Sequence, residues 1–470
     1  MNFTSELLTK NISFTDHFKE SENHTIVSYD GALIQTILPL YVRVGFLLVS
    51  ISCTPTSNSN YIVIQNIIDI AVASVTYFLL GYRFAFGQDI NGLIGHYNLD
   101  VNNIDPKNIF YGWTAVMSTT GIVTTMFAGR MHVIGCGVNS FLIAGFLQPL
   151  FIHWTYTKTG ILNRLILNNY VLSVIDQFST LNIHVCAGII AFIGHLFFGR
   201  KLIKLRDLDQ EHLASTPWIV VGYFLIISGL ILNMPPLEIK HLEIKYIFFT
   251  SIKNNILALS GGIIGAALWM KITNFNENGE EWFIAKYLQG GIMGLVSVSS
   301  GIFLYSSVIA FSLGIFSAII FVKFSKIVLK SAVDDYCLII PTHLIGGLIG
   351  ILMPTCFISF NRFNMKPFII QIGSQLFGFL AVAITSIFIT IPLFIFLKKI
   401  NILRNKFEKK NHKLAIDMEK KILPRDLFER LYKHPTKKGD DEHSSTSHIY
   451  SKSVLTNLGI STLSANIGDQ

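Results

Sequence analysis

Charge is what this chain has least of. Only 14% of its 470 residues are Asp, Glu, Lys or Arg, against about 25% in soluble domains. The shortage is concentrated between residues 31 and 397, where charges fall mostly in short intervals between apolar runs. A soluble core tolerates one or two such runs, not a series of about 20 residues each, so a soluble enzyme is excluded. Cysteine is scarce as well. Cys53, Cys136, Cys186, Cys337 and Cys356 form neither a CxxC pair nor a metal-ligand spacing, which argues against a disulfide framework or a zinc module. The sequence also lacks a phosphate-binding glycine loop, a nucleophile elbow and an HExxH helix, so no enzyme, cofactor or metal chemistry is expected. The first thirty residues contain no apolar segment of signal-peptide type.

What is present is apolar: 51% of residues are hydrophobic and mean hydropathy is +0.51. Hydrophobic runs place spans near 31–52, 61–82, 109–128, 132–154, 170–198, 217–234, 246–270, 285–301, 303–323, 336–357 and 368–397. The expected fold is an all-α membrane protein of about eleven transmembrane helices, with residues 31–397 as the membrane domain. An odd number of spans puts the termini on opposite sides. Three glycosylation sequons, at Asn2, Asn11 and Asn23, mark residues 1–30 as an extracellular tail. Residues 398–470 then form a cytoplasmic tail, basic at Lys398, Lys399, Arg404, Lys406, Lys409 and Lys410 and rich in Ser and Thr beyond. The net charge of +8 comes largely from this tail and suits an anionic lipid leaflet, without nucleic acid. Arg43 in the first span and Asp69 in the second read as structural, facing a helix neighbour or an interface. His153 and His195, near span ends, read the same way.

Two distant segments share a spacing. Asp176 precedes His184 by eight residues in VIDQFSTLNIHVCAG, and Asp335 precedes His343 by eight in VDDYCLIIPTHLIGG. A histidine within a span is expensive, and is either a structural hydrogen-bond partner or a functional group. Two at matched places in two five-span halves favour function. Because five is odd, the second half runs inverted, and inverted repeats bring equivalent helices together near the bilayer midplane. Small residues follow each histidine, among them Ala187, Gly188, Gly346, Gly347 and Gly350, where backbones can approach closely.

These segments, with NIIDIAVASVTYFLLGYRFAFGQDINGLIG at 66–95, YGWTAVMSTTGIVTTMFAGR at 111–130 and YLQGGIMGLVSVSSG at 287–301, resemble the ammonium transporter (Amt/Mep/Rh) family along roughly residues 30–400. The resemblance implies a plasma-membrane homotrimer with one pore per subunit. It also implies that His184 and His343 are the paired pore imidazoles that relay a proton, and that ammonium or ammonia is the substrate. The outer ammonium site is implied to involve Asp176, Tyr156, Tyr111, Ala115 and Leu232, with Asp335 as the repeat acid. Tyr111 and Ala115 stand where the family stacks two phenylalanines, Tyr156 where it has a cation-binding tryptophan, and Leu232 where it has an aromatic. Pro235 or Pro236 replaces a recruiting serine, and Ala128-Gly129-Arg130 lacks the family's acid. Only Asp417-Met418 matches the family's tail motif. A non-conducting sensor and a channel for neutral gases such as ammonia or carbon dioxide stand as alternatives.

Overall fold

The computed structural model describes residues 29–54, 58–96, 106–167, 170–199, 216–232, 244–273, 280–330, 335–360, 365–406, 408–410 and 413. The three sequons, Pro235, Pro236, Asp417 and Met418 lie outside these residues. Eleven helical rods account for nearly all of the described chain. They are α1 (Tyr29–Ser52), α2 (Ser59–Phe86), α3 (Pro106–Met126), α4 (Val133–Tyr156), α5 (Thr180–Phe198) and α6 (Thr216–Leu232), followed by α7 (Ile244–Ile272), α8 (Glu280–Ser299) and α9 (Ser307–Lys330). The last two are α10 (Ile340–Ile345 continuing as Gly346–Phe360) and α11 (Met365–Lys399). Among the described residues, seven of these are long and apolar enough to cross a bilayer on their own terms. Two antiparallel pairs interrupt the helices: β1 (Gln88–Ile90) with β2 (Ile94–His96), and β3 (Leu165–Leu167) with β4 (Tyr170–Leu172).

The packing follows the repeat. α1 lies against α3 and α6, α6 against α8, α2 against α4, and α7 against α9, while α5 and α10 meet in the middle and α11 covers both. Large apolar side chains such as Ile67, Phe249, Val308, Ile384 and Phe388 face outward, as expected where lipid is the solvent and helices gain nothing by hiding leucine from it. Polar groups turn inward instead. Arg43 pairs with Asp69, and both side chains are fully buried. Arg43 also donates to Thr120 Oγ1 at 3.3 Å and Asn66 Oδ1 at 3.4 Å, and Ser140 donates to Asp69. One ion pair thus ties α1, α2, α3 and α4 together, which settles the structural reading of both residues in favour of helix contact rather than an interface.

Two expectations are corrected in detail. The fifth and tenth spans are helical only from Thr180 and Ile340, so Asp176 and Asp335 precede their helices instead of lying within them. The reason is local: Ser179 (φ 56°) and Leu338 (φ 49°) adopt left-handed conformations that an L-residue helix cannot absorb.

The chain after α11 does not leave the domain at once. His132 N donates to Leu403 O at 3.1 Å, Asn405 N to Arg130 O at 2.9 Å, and Asn405 Nδ2 to Gly129 O at 2.7 Å. Arg130 Nε meets Glu408 Oε1 at 2.9 Å, and Arg404 reaches Phe198 O at 2.6 Å. Residues 401–409 therefore clamp the α3–α4 turn to the end of α5.

Candidate functional site

Each half builds its histidine in the same way. The Asp176 carboxylate accepts from Thr180 N at 2.7 Å and Leu181 N at 3.0 Å; the Asp335 carboxylate accepts from Ile339 N at 2.9 Å and Ile340 N at 2.7 Å. These are the first amides of a helix, which have no intrahelical partner, and a carboxylate also complements the positive end of the helix dipole. The residue third after each acid is the left-handed one, and the histidine follows within a π-helical turn, Thr180–Val185 or Ile340–Ile345. A π turn widens the helix by one residue per turn and is commonly kept where a side chain must be re-aimed. The eight-residue spacing is thus the length of a cap, a reversal and a wide first turn.

The two turns cross at close range. A Cβ on Gly188, four residues past His184, would lie 2.7 Å from Leu344 Cβ. One on Gly347, four past His343, would lie 2.7 Å from Val185 Cγ2. Each glycine receives the residue that follows the other half's histidine. With the backbones this close, His184 Nδ1 and His343 Nδ1 stand 3.0 Å apart with ring planes 8° from parallel. Both rings are buried, at 4% and 2% exposure.

At the Asp176 end of the pair, Tyr111 and Tyr156 pack with ring centroids 5.0 Å apart and planes tilted by 59°. Tyr156 Oη donates to Asp176 O at 2.9 Å and accepts from Ser179 N at 3.0 Å, while Tyr111 shares a hydrogen bond with Ser179 Oγ. The structure therefore brings Tyr111, Tyr156 and Asp176 together, through Ser179. Ala115 is fully buried one turn further along α3, and Leu232 ends α6 half-buried; neither contributes a ring or a polar group.

At the Asp335 end a small cavity, with room for about one water molecule, is lined by Phe46, Thr125, Tyr223, Gln289, Ile292 and His343 among others. Gln289 Nε2 donates to Tyr223 Oη and to Cys337 O, both at 2.6 Å. Gln289 Oε1 and Thr125 Oγ1 have no hydrogen-bond partner among the described residues. Two buried acceptors left open, each costing about 1–3 kcal/mol, mark a place suited to an N–H donor. Sequence reasoning missed Gln289, Tyr223 and Thr125. The available signal was a glutamine within an apolar run, in the YLQGG segment already singled out.

Chemically, a 3.0 Å contact between two ring nitrogens needs one donor and one acceptor. As neutral tautomers, one ring then presents a bare Nε2 and the other an Nε2–H. The pair accepts hydrogen on one side and donates it on the other; a proton taken at the bare Nε2, passage of the shared proton and release of the other ring's Nε2–H together relay one proton and reverse the sense. Among the described residues no group of three or more His, Cys, Asp or Glu side chains could hold a metal ion.

A family model described as the Ammonium Transporter Family matches residues 32–420. Ammonium transporter 1 member 3 of Solanum lycopersicum is 24% identical over 417 residues, covering 79% of this chain and 87% of its own. Ammonium transporter Amt1 of Methanocaldococcus jannaschii is 24% identical over 325 residues, covering 67% and 76%. Among solved structures, one titled Sensor Amt Protein shares the fold at a TM-score of 0.69 and 20% identity, over 82% of this chain and 96% of that one.

Proposed function

Since the chain belongs to the ammonium transporter family, we propose that it moves ammonium nitrogen across a membrane as ammonia, through a pore that passes the His184–His343 pair. The observation that carries the reading is the 3.0 Å contact between two buried imidazoles at the crossing of the two repeats. An ion in an apolar passage loses its hydration without compensation, whereas neutral ammonia does not. Ammonium meets the Tyr111–Tyr156–Ser179 cluster first, where aromatic faces attract a cation, and gives up a proton to water on that side, from which the bare Nε2 of the histidine pair takes one up. Ammonia donates to the bare Nε2 of one histidine and accepts from the Nε2–H of the other. It is then held at Gln289 Oε1 and Thr125 Oγ1 before release and reprotonation. The Asp176 end faces outward and the protein is a plasma-membrane homotrimer; His184 and His343 relay a proton, and Asp176 and Asp335 cap the helices that carry them.

The test is ammonium uptake by wild type, His184→Ala and His343→Ala in yeast lacking its own ammonium uptake. Growth on low ammonium is expected with wild type and lost or altered in ion selectivity with either variant. A well-expressed wild type that fails to restore growth refutes the proposal. A sensor is the second reading, favoured by tyrosine hydroxyls engaged by backbone at the entry and by the clamp of residues 401–409 on the α3–α4 turn. Truncation after Lys410 separates the readings: a transporter keeps its flux, while a sensor loses its output.

A further inference from the structure

His153, one turn before Tyr156 on α4, is 1% exposed. Its Nδ1 lies 2.9 Å from Ala85 O at the end of α2, and its Nε2 lies 2.9 Å from Asp89 Oδ1 on β1. A carbonyl and a carboxylate only accept. Both ring nitrogens must therefore donate, and the full set of bonds exists only with the ring doubly protonated and paired with Asp89. The Asp89 side chain is 26% exposed, so solvent on the Tyr156 side reaches the pair. The same carboxylate oxygen accepts from Gly92 N at 2.8 Å, fixing the β1–β2 turn. That turn holds α4 again through Trp154 Nε1 to Leu93 O at 2.8 Å. Toward this end of the packed elements the other titratable groups are Tyr77, Tyr82 and Arg83 on α2, His96 on β2, Tyr111 on α3, Tyr156 on α4, Asp176 before α5, and Lys158 just past α4. Arg83 Nε turns to Tyr82 Oη at 3.3 Å, and both nitrogens of His153 are already taken.

We propose that Asp89 and His153 are positioning residues for the entry at Tyr156, so that capture of ammonium there weakens as His153 gives up its second proton. The sign follows from the bonds. The doubly protonated ring grips both α2 and the hairpin, and loss of one proton turns a donor toward Asp89 or Ala85 into a lone pair facing an acceptor. The last turn of α4 then keeps Trp154 and only one of the two His153 bonds behind it, and Tyr156 is held less firmly against Asp176 and Ser179. The inference rests on reading Tyr156 as an entry residue, and it names what regulates that entry.

The experiment uses the full chain in proteoliposomes, with labelled methylammonium as probe at fixed cation concentration. External pH is stepped from about 5.5 to about 8. Each variant is compared with wild type at every pH. For His153→Gln and Asp89→Asn, half-saturation at low pH is expected to rise about fivefold, the low end of coupling between sites. Maximal flux is expected to hold, and the ratio to wild type to shrink toward one as pH rises. Asp89→Glu, which keeps the charge, is expected to retain the wild-type pH profile. Hydrogen exchange of residues 85–96, corrected for intrinsic rates, is read in parallel. Wild type should lose protection as pH rises, and His153→Gln should be unprotected throughout. If the variants transport with the wild-type pH profile and half-saturation, the proposal is overturned. If no protein transports but the exchange step is present in wild type and absent in His153→Gln, the ion pair stands and the entry role falls with the transport reading. If wild type shows no exchange step, the pair itself is refuted.

Discussion

Replacing Gly188 by alanine should cut transport far more than it cuts stability. The added methyl would sit 2.7 Å from Leu344 Cβ and 2.9 Å from Leu344 Cα, where carbon atoms pack comfortably at about 3.5–4.0 Å. The shortfall is about 1 Å, and a Cα cannot rotate away, so the two π turns must separate. Leu344 follows His343 directly, so the 3.0 Å contact between the histidines opens to about 4 Å, beyond hydrogen-bond reach. Overpacking costs about 1–3 kcal/mol, while exchanging glycine for alanine in a helix returns up to about 1 kcal/mol. Thermal unfolding should therefore shift only modestly, and flux should fall roughly tenfold to a hundredfold, as ångström misplacements at reacting centres do. Gly347→Ala is the control. Its methyl meets Val185 Cγ2, the end of a side chain, at 2.7 Å, with Val185 N at 3.4 Å. A rotamer adjustment of about 0.5–1.5 kcal/mol relieves that contact without moving backbone. Ammonium flux into proteoliposomes and thermal melts in detergent measure both variants. Gly188→Ala with wild-type flux, or Gly347→Ala as the more damaging change, would refute the argument.

Other perturbations follow from the same geometry. Arg43→Leu should destabilise the protein by about 3–5 kcal/mol by stranding Asp69, and the Arg43→Leu, Asp69→Leu double variant should recover much of that loss in a thermal melt. Gln289→Leu removes the open acceptor beside His343, so flux should drop by about tenfold, and it also takes the donor from Tyr223 Oη and Cys337 O, so unfolding temperature should fall by an amount equivalent to about 1–3 kcal/mol. His132 accepts from Ile134 N at 3.2 Å as the N-cap of α4. Burial first, then Lys409 and Lys406, hold its proton affinity below the ordinary value of 6.5. The folded state thus binds this proton less readily than the unfolded chain, and stability should fall as pH drops below about 6.5. His132→Asn, a neutral cap, should remove that part of the pH dependence, read as the difference in melting temperature between the two proteins across the range.

The helices were legible because each needs its own apolar stretch, and nothing else in the chain mimics one. His184 and His343 were legible for the converse reason, since a polar group in such a stretch needs an explanation. Other features left no one-dimensional trace. Asp176 and Asp335 were visible as a repeat, but their work as caps depends on Ser179 and Leu338 turning left-handed, and no residue preference announces a leucine there. Arg43 and Asp69 were visible as isolated polar residues on different helices, and only packing makes them partners. Tyr111 and Tyr156 were legible only as departures from the family's phenylalanine and tryptophan. In the fold their hydroxyls bind the Asp176–Ser179 turn, so these residues brace that turn, which no aromatic substitution announces. The stretch after α11 read as a cytoplasmic tail whose basic residues suit an anionic leaflet. Glu408 and Arg404 instead find partners in the α3–α4 turn and at the end of α5.

The matched caps, reversals, π turns and glycines make the centre of the proposed pathway nearly indifferent to direction. A proton shared between two equivalent nitrogens prefers neither side, so nothing at the histidines distinguishes uptake from release. Any preference must arise where the repeats stop matching. One end offers two tyrosine rings and a titratable pair, Asp89 with His153, connected to Tyr156 through one helical turn. The other offers Gln289 Oε1 and Thr125 Oγ1 in a cavity without a charge among its lining residues. A cation is attracted by π faces and a nearby carboxylate, whereas a neutral N–H donor is satisfied by uncharged oxygen acceptors. On the transport reading proposed above, this asymmetry sorts the substrate by protonation state, with ammonium favoured at the tyrosines and ammonia beyond the histidines.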